Sequence, residues 1–158
     1  MSYRASITFH WQGPWDWGKA LARVLAAEEG GVEAVWVAEA WGRDCFTLLT
    51  LIADRTRRIR LGTGIVNTYS RTPAALAQHF ATLDDLSGGR MLIGLGTSGW
   101  RVIEHFHGVP FQPSLTRMRE YIQIINTILS GEKLVHHGKV FRLDRGFTLR
   151  FTPVRPHI

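Results

Sequence analysis

Residues 59–99 place two short apolar stretches, each closing in glycines and hydroxyls, on either side of one amphipathic helix. The run reads Ile59-Arg-Leu-Gly-Thr-Gly-Ile-Val-Asn67, then a helical segment, then Ser87-Gly-Gly-Arg90 and Met91-Leu-Ile-Gly-Leu-Gly-Thr-Ser-Gly99. Strand, helix and strand in that order imply parallel strands joined by a crossover, which few folds accommodate. Such sheets build their binding sites at the carboxyl ends of the strands. Both glycine-rich turns fall at that end.

The same alternation runs along the rest of the chain. Residues 3–9 alternate as a first strand and lead into the aromatic loop His10-Trp-Gln-Gly-Pro-Trp15. Asp16 is placed to cap a helix running to about Glu29, with Leu21, Val24 and Leu25 on one face and Gly30-Gly31 as its stop. Ala34-Val-Trp-Val-Ala38 is continuously apolar, as a strand covered on both faces requires. Asp44 can cap a second helix reaching about Thr56, and residues 59–66 form a third strand. Thr72-Pro73 opens the next helix, with Leu76, Phe80, Leu83 and Leu86 at helical spacing. Residues 91–95 form a fourth strand, and a polar, aromatic loop follows to Pro113. Residues 115–130 make an amphipathic helix with Glu120 as a surface charge. The tail reads as a hairpin turning at His137-Gly138, after which residues 147–151 alternate again. The expected fold class is α/β: four βα units in strict alternation on a parallel sheet, then a C-terminal β-hairpin excursion, all in one domain over residues 1–158.

The net charge is +6 and the pI about 10.2, which raises nucleic acid as a partner. The arginines are scattered, however, and the one cluster (Arg55, Arg57, Arg58 and Arg60) sits where a helix ends, offsetting its dipole. Nucleic acid is therefore set aside, while attraction to a phosphorylated small molecule stays open. No apolar run approaches the ~20 residues that cross a bilayer, and the N-terminus lacks the layout of a secretory signal. Cys45 is the single cysteine, so a reducing cytoplasm is the expected compartment.

The candidate chemistry gathers at the strand ends. Gly94-Leu-Gly96-Thr-Ser-Gly99 matches the dinucleotide pattern G-x-G-x-x-G. It follows the fourth strand rather than the first and has no acidic residue on a following strand, which counts against that reading. Two readings stay open: a tight turn whose glycines permit close packing, or a loop offering N–H groups and the Thr97 and Ser98 hydroxyls to an anionic or flavin-like ligand. Gly62 and Gly64 inside a strand suggest a bulge at Gly64-Ile65, or a kink that relieves packing. Glu39 and His10 follow the second and first strands, placed for proton transfer or polar anchoring, or as solvated loop residues. Asn67 can hold a ligand amide or cap a turn. His105, His107, His136 and His137 form no tetrahedral ligand set, so no metal is expected. Trp11, Trp15, Trp17, Trp41 and Trp100 divide between core packing and walls for a planar ligand.

Four stretches together resemble the luciferase-like monooxygenase superfamily, most closely its branch using the deazaflavin coenzyme F420, which includes methylenetetrahydromethanopterin reductase. They are Val35-Trp-Val-Ala-Glu39-Ala-Trp-Gly-Arg-Asp44, residues 59–67, Ala81-Thr-Leu-Asp-Asp-Leu-Ser-Gly-Gly-Arg90 and residues 94–99. Pro113-Ser-Leu-Thr-Arg-Met-Arg-Glu-Tyr121, Gly131-Glu132 and Gly138-Lys-Val-Phe-Arg-Leu143 are similar too. The likeness runs from about Gly30 to the C-terminus.

The resemblance implies a (β/α)8 barrel of TIM type, with a flavin or deazaflavin ring over the strand tops. It implies a cis peptide at Gly64–Ile65 backing that ring, with Thr63, Gly64, Ile65, Asn67, Gly96, Thr97, Ser98 and Gly99 lining the site. Glu39 and His10 take the positioning or proton-transfer roles. The implied reaction is hydride transfer between F420, or alternatively FMN, and a small organic substrate; an FMN-dependent monooxygenase is the nearest alternative. Two positions depart from the pattern: Ala40 stands where some relatives carry histidine, and Gly99-Trp100 where reductase-like relatives carry an acid. Family members run to about twice this length, so the chain is expected to be the N-terminal half of a barrel. Its open edges would call for a second copy or a complementary half. A catalytically inactive half-barrel that only binds or dimerises is the alternative from another class.

Overall fold

The computed structural model describes residues 5–9, 14 and 16–154. Its sheet is parallel, in the order β1 (Ser6–Phe9), β2 (Ala34–Val37), β3 (Arg60–Thr63), β5 (Met91–Leu92). A second parallel pair joins β4 (Val66–Asn67) to β6 (Leu95–Gly96). The crossovers are α1 (Trp17–Glu29), α2 (Cys45–Arg55) and α3 (Pro73–Ser87). The class is α/β with a parallel sheet, as the alternation implies.

Local signals account for the helix boundaries. Asp16 accepts from the Lys19 amide at 3.2 Å, Asp44 from Thr47 at 2.7 Å, and Thr72 from Ala75 at 3.2 Å, each satisfying a first-turn donor. Pro73 occupies the first turn of α3, and Gly88, at φ 70°, closes it in the left-handed region. The apolar stripes then meet in one core: α2 lies against β2 and β3, and α3 against β5. Leu49, Ile52, Leu61, Leu76, Phe80 and Met91 are all fully buried there.

The third and fourth strands are not continuous. β3 stops at Thr63 and β4 resumes at Val66; β5 stops at Leu92 and β6 resumes at Leu95. Both breaks lie at glycines, Gly64 and Gly94. The Gly64–Ile65 bond is cis, where the resemblance places it.

Residues 100–113, expected as loop, contain a short helix, α4 (Trp100–His105). It is only six residues long and has no side-chain cap, so no start signal marks it in the sequence. Helix α5 (Ser114–Leu129) packs against α3 through Tyr121, Ile124, Ile125 and Ile128. The tail is an antiparallel hairpin of β7 (Leu134–His137) and β8 (Arg142–Phe147), turning where expected. The further strand expected over 147–151 does not form; beyond Phe147 the backbone is irregular. Among the described helices none is long and apolar enough to cross a membrane.

Glu120 corrects the sequence reading. It is 6% exposed rather than a surface charge, because its carboxylate reaches the hairpin turn. It accepts the backbone amides of Lys139 (2.7 Å), Val140 (3.1 Å) and Phe141 (2.9 Å), and it pairs with the His136 ring at 3.3 Å. Gly138 permits this approach, since a Cβ there would collide with the carboxylate. Burial would raise the Glu120 carboxyl, but the three amides and His136 outweigh it and hold the group below its ordinary value.

The Glu120 contribution to stability is therefore present above the ordinary carboxylate range and is lost as pH falls through the lowered value. Glu120→Ala should cost about 3 kcal/mol, because three hairpin-turn amides lose a charged, buried acceptor. A urea titration at neutral pH reads the loss. An unchanged midpoint would show that the hairpin docks without this clamp.

Candidate functional site

The carboxyl ends of β2, β4 and β6 come together around the Gly64–Ile65 bend. The Gly64 amide donates to the Val37 carbonyl at 2.8 Å, and the Glu39 amide to the Ile65 carbonyl at 3.1 Å. The Val66 amide donates to Gly94 at 3.0 Å and the Thr68 amide to Gly96 at 3.1 Å. Residues 61–63 and 66–69 are buried, yet Gly64 between them is exposed. The bend thus presents bare backbone at the top of the sheet.

Several of the glycines are also packing requirements. The Trp36 indole lies across Gly62 and Gly64: a Cβ on Gly62 would overlap the ring, and one on Gly64 would sit 3.2 Å from the Trp36 Cβ. A Cβ on Gly94 would strike the Thr63 carbonyl, and one on Gly96 would lie 2.8 Å from Ile65 Cδ1. Thr63 is fully buried, and its hydroxyl exchanges hydrogen bonds with Gly94, donating to the carbonyl and accepting from the amide, each at 2.9 Å. Thr63 therefore fastens β3 to the β5–β6 connection.

Glu39 belongs to an ion network. Its Oε1 and Oε2 accept from Arg71 Nη1 (2.5 Å) and Nη2 (3.0 Å), and Oε2 also accepts the Cys45 amide at 3.1 Å. Arg71 Nη2 donates in addition to Asp44, the cap of α2. The Arg71 guanidinium stacks 5.2 Å from the Phe46 ring centre, and its carbonyl accepts from the Tyr121 hydroxyl at 2.6 Å. Glu39 and Arg71 side chains are 9% and 20% exposed. Burial would raise the Asp44 carboxyl, but Thr47 and Arg71 outweigh it and hold it low. Burial and the Glu39 carboxylate push the Cys45 thiol far up, so it stays protonated and is no nucleophile.

Asn67 is 1% exposed. Its Oδ1 accepts the amides of Tyr69 (2.9 Å) and Ser70 (2.7 Å), so it caps the turn, and its Nδ2 lies 3.5 Å from Nε2 of His107. Ser98 has φ 57°, the left-handed region that non-glycine residues seldom adopt. Gly96, Thr97 and Ser98 are half-buried and Gly99 is exposed. Among the described residues no three His, Cys, Asp or Glu side chains cluster as a metal site.

The model of the luciferase-like monooxygenase family matches residues 5–158. The chain belongs to that family.

Within the family, a Mycobacterium tuberculosis protein named for coenzyme F420-dependent oxidoreduction is 46% identical over 112 residues, taking in 71% of this chain and 32% of that one. The 5,10-methylenetetrahydromethanopterin reductase of Archaeoglobus fulgidus is 34% identical over 131 residues, 82% of this chain and 39% of that one. Among solved structures, the coenzyme F420-dependent tetrahydromethanopterin reductase of Methanopyrus kandleri superimposes with a TM-score of 0.80 at 28% identity. That match covers 96% of this chain and 47% of the other. In each case the chain spans less than half the length of the relative.

The fold of this family member brings Glu39, Gly64, Ile65, Asn67 and Gly96 together at one rim, with Thr97 to Gly99 continuing from it. His10, Trp11 and Trp15 lie outside the described residues. Trp41 and Trp100 are exposed, whereas Trp17 packs against the core. The sequence reading passed over Arg71 and weighed His107 only as a metal ligand. The only signal for Arg71 was its place between Asn67 and the Thr72-Pro73 helix start, on the same rim as Glu39.

Glu39→Gln and Arg71→Met should each cost about 3 kcal/mol, because each strands a partly buried, charged partner. The double variant should lose about 2 kcal/mol less than their sum. Thermal melts of the four proteins check this, and strict additivity would contradict the pairing. Gly62→Ala should lose about 2 kcal/mol by overpacking on the Trp36 ring, measured in the same melts.

Proposed function

We propose that the strand-end rim holds the ring of a redox coenzyme, and that the chain acts as the first four βα units of a (β/α)8 oxidoreductase. The observation that carries this reading is the exposed Gly64–Ile65 backbone set in an otherwise buried run. Bare peptide is what a flat ring can lie against; a side chain at Gly64 would block it. Glu39, Asn67 and the 96–99 segment frame that patch.

F420 is the coenzyme we favour, with FMN as the alternative. The support is the F420-linked names of the 46% and 34% identical relatives. When bound, such a ring supplies hydride transfer to or from a small organic substrate. The chain's own residues hold and orient. Glu39, tied to Arg71, keeps the β2 turn against the Ile65 carbonyl, so its role is positioning rather than proton transfer. Asn67 holds the turn after β4 so that the rim stays open. The backbone N–H groups and hydroxyls of Thr97 and Ser98 suit an anionic group of the coenzyme.

A second reading is favoured by the sheet order. β1 and β5 are the outer strands and have no strand partner beyond the sheet among the described residues, and bare edges favour pairing. A half-barrel that pairs with a second copy or a complementary half, with or without catalysis, would cover them.

Titrating the purified chain with F420 and with FMN, followed by absorbance, separates these readings. The expected result is binding of F420 about tenfold tighter than FMN, a difference of about 1.4 kcal/mol. No binding of either would overturn the coenzyme reading for this chain alone. Sedimentation of the same sample should give a species larger than a monomer; a clean monomer would contradict pairing at the edges.

A further inference from the structure

His107 plays no part in the coenzyme-site reading, yet it closes the same rim. It follows α4, its backbone amide donates to the Val102 carbonyl at 3.1 Å, and its half-buried ring meets Phe106 edge-on at 5.0 Å. Its Nε2 faces the buried side chain of Asn67 at 3.5 Å.

The orientation of the Asn67 amide is determined by its neighbours. Oδ1 must be the atom that receives the Tyr69 and Ser70 amides, since Nδ2 could accept neither. The group presented to His107 is therefore an N–H donor. Nε2 can answer it only as a lone pair, and the neutral imidazole must then carry its proton on Nδ1. Among the described residues nothing accepts from Nδ1, and Nδ1 is not among the buried atoms lacking a partner. It remains open for a bond from outside the chain.

We infer that Asn67 presets His107 as the Nδ1–H tautomer, leaving that N–H as a ready donor to an acceptor oxygen of the ligand held at the strand ends. The ligand part rests on the coenzyme reading; the tautomer does not. Asn67 acts as a positioning residue, working through the imidazole.

Long-range proton–nitrogen correlation spectra of the 15N-labelled chain, at about pH 8.5 where histidine is neutral, read the tautomer directly. The spectrum of His107→Gln identifies the His107 signals. Wild type should show Nδ1–H. Asn67→Asp, which keeps an acceptor for both turn amides but offers His107 an oxygen, should switch the ring to Nε2–H. An Nε2–H tautomer in wild type would overturn the inference without reference to any variant, as would the same tautomer in both proteins.

The donor role is tested by F420 and FMN titrations. His107→Gln, whose amide reaches the Nε2 position, should bind about tenfold more weakly, while His107→Asn, whose amide stands where Nδ1 does, should stay within about threefold. Equal binding by wild type and both variants would refute it. If wild type binds neither coenzyme, the coenzyme reading fails and the donor role with it, while the tautomer result stands on its own.

Discussion

The indole of Trp36 lies across the backbone of Gly62 and Gly64, and the shape of the strand-end rim follows from that contact. An indole can bury roughly 200 Å², an upper bound of about 5 kcal/mol. Replacing a strand glycine improves β propensity by about 1 kcal/mol at most, so packing wins and both positions remain glycine. β3 ends at Thr63, just after these glycine contacts begin. The chain then bends at Gly64–Ile65 and resumes as β4 at Val66. Ile65 in turn packs on Gly96, so each strand top imposes a small residue on its neighbour.

The ion network of Glu39, Arg71 and Asp44 holds the next layer. It joins the end of β2, the cap of α2, the start of α3 and, through the Tyr121 hydroxyl, helix α5. Such a partly buried pair contributes little net stability over an apolar replacement, because desolvation offsets most of the attraction. Its value is geometric, since a bidentate guanidinium fixes both carboxylate oxygens. Glu28 and Glu120 do comparable work elsewhere: Glu28 gathers the amides of Arg57, Arg58 and Ile59, and Glu120 those of the hairpin turn. Three carboxylates thus act as tethers for backbone that has no strand partner.

The regular elements were legible because their signals are local. Asp16, Asp44 and Thr72 start helices where caps are expected, and the apolar run at 34–37 is a covered strand. The bend at Gly64–Ile65 was legible too, from two glycines in one strand. What escaped the sequence depends on contacts distant along the chain. Glu120 looks like any helix surface charge until the turn 19 to 21 residues later folds onto it. Arg71 gives no sign of its partner 32 residues earlier. Helix α4 is too short for periodicity to register. For Thr63 and Asn67 the ambiguity was chemical, since a hydroxyl or amide that could meet a ligand is equally able to fasten backbone, and here both do the latter.

Glycines demanded by internal packing and a rim open to a ligand are compatible, because Gly64 stays exposed even with Trp36 packed beside it. The most direct test of this account is amide chemical-shift mapping of the 15N-labelled chain during F420 addition. The largest shifts should fall on Gly64, Ile65, Gly96 and Ser98, with the hairpin at 134–147 unmoved. Shifts confined to another surface, or none at saturating F420, would contradict a coenzyme site at the Gly64–Ile65 bend.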